Sequence, residues 1–396
     1  MTGAPNASFQ IGQNTRLHYI DNIRALLMSM GVILHAGFIT DLWLADGVNY
    51  LSSLFRMNFF ILICGYFAAY GLSKRSLGSF ITSRSINFGI PVLIGLLVLN
   101  PLTNFFIYQT FVEPISLVAF LSPSFQPAAD MPIELNWLLH MWFLIVVLFY
   151  CLLISVFVKI AEFSITERSV LYLTDKIRSR ALQTFILAIT LATFCLGARV
   201  FHRLTFELIL DEQYVNFLVQ ALSWYTPYFL FGILLYRHPK LMEILVAPAW
   251  GVVAFGLIVL AGYEFLNAML EAHVGALIAE AGELFVKGFA SFVICSALLN
   301  LFRKYAGKTN TLLRFLADAS YTVYVVHFLM ISIVQYCFKV IGFSNNMNYF
   351  VSMLAAYAAS LLVHKFIVQK NVLAALLLNG KRPKAWRTST QATRNI

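Results

Sequence analysis

Arg24 and His35 are the residues of this chain whose types and spacing most readily suggest chemistry. They bound the run RALLMSMGVILH, which between them is apolar but for one serine. Eleven residues are about three helical turns, so on a helix the two side chains share a face and stand ~16 Å apart along the axis. A guanidinium offers a planar fork to phosphate or carboxylate. An imidazole titrates near neutral pH and is the usual general base. Each residue also has a plain reading, Arg24 as a cation anchored at a membrane interface and His35 as a packing histidine bonded to a neighbouring helix. The pairing on one face favours chemistry, with His35 as the catalytic base and Arg24 as the anion-binding group.

Membrane helices must position these groups. Of 396 residues 60% are apolar, 15% aromatic and only 12% charged, which does not fit a soluble domain of this length. Apolar windows near the ~20 residues needed to cross a bilayer recur at roughly 23–43, 51–72, 88–110, 138–158, 182–201, 214–236, 245–265, 282–301, 319–340 and 347–368. None shows the alternation of a barrel strand. The expected fold class is all-α, a polytopic transmembrane bundle of about ten spans. Its expected divisions are an N-terminal segment 1–22, a membrane domain 23–368 and a basic tail 369–396. With the N-terminus placed inside, 23 of the 28 Lys and Arg fall on the inner side, which predicts that both termini are cytoplasmic. The net charge of +10 is thereby accounted for at helix ends facing anionic lipid, and no nucleic-acid module is present. The first twenty residues lack the apolar core of a signal peptide. The five cysteines lie singly inside predicted spans without a Cys-x-x-Cys, so neither disulfides nor a metal site are expected.

Other polar residues within or beside the spans extend the candidate set. Ionisable groups at membrane depth are costly and usually face the bundle interior. Arg84 opens the third span from the inner side, where it could join Arg24 at an anion or simply anchor the helix. His140 and Trp142 open the fourth span at its outer end. Trp142 could belong to the interfacial aromatic belt or stack on a sugar ring. His327 lies near the middle of the ninth span, close to Tyr324. Arg56, expected at the outer end of the second span, and Lys287, within the eighth, could each receive a carboxylate. Glu283 one turn before Lys287 makes an ion pair the simpler account there.

Several stretches, in order, resemble the membrane-bound acyltransferase type 3 family. IRALLMSMGVILHAG resembles its Arg-x10-His signature, FRMNFFILICGYF its second span and SRSINFGIPVLI the basic start of its third. HMWFLIVVLFY is similar to its His-x-Trp-Phe-Leu segment, and ASYTVYVVHFL to its Ser-x-x-x-Tyr-x-x-His stretch. The wording of FRMNFFILICGYF, FGIP and YTPYFLFGILLYRHPKL is nearest a glucan-modifying branch. The resemblance implies a multi-pass enzyme of the bacterial inner membrane that moves an acyl group from cytoplasmic acyl-coenzyme A to a carbohydrate hydroxyl on the outer side. For that branch it implies succinyl-coenzyme A as donor and a periplasmic glucan as acceptor. Acetylation of a surface polysaccharide from acetyl-coenzyme A is the alternative. No permanently bound cofactor or metal is implied, and the oligomeric state is left open. Two positions depart from the family pattern: Asn87 stands where a second donor-side arginine is common, and Phe328 where proline often follows the histidine. From a different class, a secondary transporter would also place a few charges in such a bundle, but the two halves show no matched pair of broken helices.

Overall fold

The computed structural model describes residues 18–381 apart from 38–42, 113, 129–130, 132–133, 165–166, 208, 211, 309 and 343–344. The N-terminal residues 1–17 and the basic tail from Arg382 onward therefore lie outside the described residues. The described chain is helical with no strand. Its main helices are α1 (His18–Ala36), α2 (Trp43–Ser73), α3 (Leu77–Phe111), α4 (Leu139–Leu152), α5 (Ile154–Ser164), α6 (Arg180–Thr205), α7 (Gln213–Arg237), α8 (Pro239–Val246), α9 (Trp250–Val274), α10 (Ala276–Tyr305), α11 (Thr311–Ile341), α12 (Asn345–Leu362) and α13 (Val372–Asn379).

Among the described residues eight helices are long and apolar enough to cross a bilayer, or nine when the chain bent by 68° between α4 and α5 counts as one span. The remaining predicted window is α1. It spans nineteen residues, about 28 Å, but Asp21, Asn22, Arg24 and His35 dilute its apolarity. The protein is an all-α, multi-pass membrane bundle.

Close helix approach depends on small residues, as expected where lipid removes the hydrophobic drive for association. α2 and α7 cross at Gly65 and Gly232. A Cβ on Gly65 would stand 2.2 Å from the Phe229 carbonyl oxygen, and one on Gly232 would stand 2.1 Å from that of Leu62. Pro227 lies inside α7, where it removes one backbone donor. Nearby, the Tyr150 hydroxyl reaches across from α4 and donates to the Leu222 carbonyl at 2.6 Å, tying the two helices together. α3 is not a uniform helix: π-helical turns at Ser85–Gly89 and Gly95–Leu99 interrupt it, and such turns often accompany functional sites. α1, α2 and α11 meet along the core, with the start of α4 closing the fourth side.

Candidate active site

Four elements converge on one cavity of about 50 Å³. α1 contributes Leu27, Met28, Gly31 and His35, spacings of four and then eight residues from Leu27 that keep one helical face. α2 contributes Arg56, Met57 and Phe60, the start of α4 contributes His140, Trp142 and Phe143, and α11 contributes Tyr324 and His327. The volume admits a few waters or a small acyl unit.

Three imidazoles surround it. The ring centroids of His35 and His327 are 5.2 Å apart, those of His140 and His327 4.9 Å, and those of His35 and His140 6.2 Å. Phe328 stacks on His35 at 4.7 Å and 27°, so the residue that stands where the family often has proline supports the ring face. His327 Nδ1 lies 2.7 Å from the Tyr324 carbonyl and 3.0 Å from that of Val323. A carbonyl only accepts, so Nδ1 carries the proton and the neutral ring leaves its lone pair on Nε2. That Nε2 is buried and has no hydrogen-bond partner among the described residues. His140 follows the same logic with the nitrogens exchanged. Its Nε2 is 3.3 Å from the Val325 carbonyl, and its buried Nδ1 has no partner. The cavity is therefore lined by free lone pairs suited to accepting a proton. Among the described residues no group of three His, Cys, Asp or Glu side chains is arranged to hold a metal ion.

The turn that aims His140 is strained and fastened. Leu139 has φ 41°, the left-handed region that a leucine rarely adopts. Fully buried Asn100 of α3 donates through Nδ2 to the carbonyls of Trp137 at 2.7 Å and Leu138 at 3.0 Å. Asn136 Oδ1 accepts from the backbone N–H of Leu138 at 2.8 Å and Leu139 at 3.1 Å, and Asn104 Nδ2 donates to the Asn136 carbonyl at 3.1 Å. On the far side the Tyr324 hydroxyl donates to the His140 carbonyl. None of the three asparagines stands in the sequence-based set. The available signal was two asparagines, 100 and 104, four residues apart in an otherwise apolar span.

Arg56 sits thirteen residues into α2, which begins before the apolar window does. A Cβ on Gly31 would stand 2.9 Å from Arg56 Nη1 and 3.9 Å from His327 Nε2. Arg56 Nε is buried without a partner, and no described carboxylate pairs with the guanidinium. Lys287, by contrast, is ion-paired with Glu283 and lies 3.4 Å from Glu264, so the pairing read from the sequence is present.

The donor-side candidates lie beyond the opposite end of the cavity. Arg24 follows Leu27 down the α1 face, half exposed and 3.7 Å from Asp21. The Arg84 guanidinium lies over the rings of Phe80 at 5.2 Å and Phe88 at 5.9 Å. Cys64 is on the same α2 face as Arg56 and Phe60, at spacings of four residues. Asn87 does not join this group. Its carbonyl accepts from the Tyr321 hydroxyl at 3.0 Å, and its amide, with nitrogen turned toward them, donates to the carbonyls of Ser83 at 3.1 Å and Gly380 at 2.9 Å. It fastens the end of α13 to α3. Trp142 lines the cavity and stacks on Tyr225 at 5.9 Å and 22°, with Phe217 edge-on at 5.6 Å.

Residues 17–365 match the model of a protein family described as an acyltransferase domain. The chain belongs to this family. It is a multi-pass membrane member of an acyltransferase family. The chain is also 28% identical over 252 residues to proteins named Glucans biosynthesis protein C from Salmonella paratyphi B and Salmonella dublin, covering 60% of this chain and 62% of each relative. A third, of the same name from Salmonella heidelberg, is 28% identical over 254 residues, with the same coverage. The match thus spans less than two thirds of those relatives' length. No solved structure matches the chain.

Proposed function

We propose that the enzyme is an O-acyltransferase of the bacterial inner membrane that carries an acyl group, succinyl in the first instance, from cytoplasmic acyl-coenzyme A to a hydroxyl of a periplasmic glucan. One observation supports the reading above others: three imidazoles, two of them with unpartnered lone pairs, line a buried cavity whose α1 face continues directly to Arg24. The acceptor is suggested by the name of the Salmonella relatives.

Arg24 and Arg84 would take the phosphates of the donor at the inner mouth. The pantetheine arm would then run along the α1 and α2 faces past Cys64 and Phe60, bringing the thioester carbonyl to the histidines. A sugar hydroxyl is a weak nucleophile at neutral pH and gains from a positioned base. In the transfer step His35 accepts the hydroxyl proton as oxygen bonds to the thioester carbon and the carbonyl pair moves onto oxygen. Collapse restores the carbonyl and breaks the carbon–sulfur bond. The proton returns to the departing thiolate as coenzyme A leaves. His327 and His140, each with one nitrogen bonded to backbone, hold the surrounding geometry, and Trp142 with Tyr225 offers an aromatic face to the sugar.

The test is mass spectrometry of a soluble glucan after incubation with the purified protein and succinyl-coenzyme A or acetyl-coenzyme A. A mass gain of one succinyl group per modified hydroxyl is expected. A gain of acetyl alone would reassign the acyl group, and no gain with either donor would defeat the reading.

A further inference from the structure

Arg56 poses a problem that the transfer scheme above leaves unsolved. A guanidinium at membrane depth is costly to hold and is normally matched by an acid or by backbone carbonyls. Arg56 has neither among the described residues, and its Nε is buried without a partner. The chain also makes room for it. Gly31 is the one residue of the α1 cavity face without a side chain, and a Cβ there would meet Nη1 at 2.9 Å. The guanidinium is thus seated on α1, facing the cavity, beside the free Nε2 of His327.

We infer that Arg56 is an electrophilic catalytic residue whose guanidinium receives the oxyanion formed when the acceptor hydroxyl adds to the thioester carbonyl. The inference rests on the acyl-transfer reading. Its place along the cavity selects this role over that of a receptor for an acyl carboxylate. Gly31 lies one turn, about 6 Å, from His35 on the Arg24 side. A thioester drawn in from Arg24 whose carbonyl halts between the levels of Gly31 and His35 lies within reach of both groups, so the group beside Arg56 is the carbonyl. A carboxylate at the far end of a succinyl chain is carried past it. As the acceptor oxygen bonds to carbon, the carbonyl electron pair moves onto oxygen and the negative charge develops against Nη1. The hydroxyl proton passes to imidazole, and when the carbonyl re-forms the thiolate leaves with that proton. A cation already held in place strengthens its interaction as this charge appears, without reorganising, which is how an oxyanion site lowers a barrier.

The experiment compares coenzyme A release by full-length wild type, Arg56→Met, Arg56→Lys and Gly31→Ala with succinyl-coenzyme A and acetyl-coenzyme A, using a soluble gluco-oligosaccharide as acceptor. Arg56→Met is expected to lower kcat by about 10²–10³-fold with either donor while leaving donor KM nearly unchanged, the pattern of an interaction made only in the transition state. Arg56→Lys should restore part of the loss. Gly31→Ala, which keeps the charge but displaces the guanidinium, should also lower kcat and spare KM. Because Arg56→Met removes an unpaired buried charge, its thermal midpoint should equal or exceed that of wild type. A loss confined to succinyl-coenzyme A or expressed in KM, an unchanged kcat, or a collapsed thermal midpoint would each overturn the assignment while leaving acyl transfer intact. Wild type that releases coenzyme A from neither donor would overturn the acyl-transfer reading and the Arg56 role together.

Discussion

His35 and Arg24 were legible as a pair because helical periodicity alone puts them on one face, and the cavity lining does run along that face toward Arg24. Their partners were less legible. His140 and His327 stood out as polar residues in apolar runs, but their meeting depends on how α11 packs beside the start of α4, which no local pattern encodes. Arg24 leads to a kinetic prediction. Arg24→Ala should raise the KM for acyl-coenzyme A with a smaller change in kcat, because its contact with donor phosphates is the same in ground and transition states. Arg24→Lys should recover only part, lacking the guanidinium fork. Asp21, 3.7 Å away, holds the side chain on the α1 surface in the absence of donor, so Asp21→Asn should leave more of that charge for the phosphates and lower the KM. Titration of KM against donor in purified protein checks all three.

At the scale of elements, the long helices follow from apolar length, whereas the devices that aim side chains do not. The strained turn at Leu139 costs on the order of 1–3 kcal/mol by itself and persists because Asn100, Asn104 and Asn136 fasten it. Such a turn has no sequence signature, as leucine gives no hint of a positive φ. Asn100→Ala would leave two turn carbonyls without their donor, and each unsatisfied buried group costs about 1–3 kcal/mol. The variant is expected to unfold at lower temperature and to lose kcat while binding donor normally. Asn100→Asp should fail as well, although nearly the same shape, because a carboxylate cannot donate to those carbonyls. Thermal unfolding in detergent alongside turnover tests both. If Asn100→Asp behaved as wild type, the turn would not depend on these bonds. The departure at Asn87 becomes intelligible at the same scale. A Cβ on Gly380, at φ 60°, would stand 2.1 Å from the Asn87 carbonyl, so this part of α3 packs against the end of α13.

For the whole molecule, the basic residues predict that both termini face inside; on the proposed function the donor then enters from the inside and the acceptor from the outside, with the histidine cavity between. Reporter fusions should read as cytoplasmic at Gly78 and Ser179 and as outer at Gly275, in the turn between α9 and α10; a single reversed site would break the order of spans beside it. Fusions at Ala129 and Arg387, which lie outside the described residues, should read as outer and cytoplasmic respectively. On the proposed function, the bundle passes an acyl group between the two sides of the membrane through His35. Inverted membrane vesicles loaded with glucan and given labelled succinyl-coenzyme A externally test it directly. The wild-type protein should place label on the lumenal glucan, and an equally abundant, folded His35→Ala protein should do so about 10²–10⁴-fold more slowly. Label reaching the glucan at similar rates with both proteins would remove His35 from the transfer, and no label with the wild type would overturn transmembrane acyl transfer.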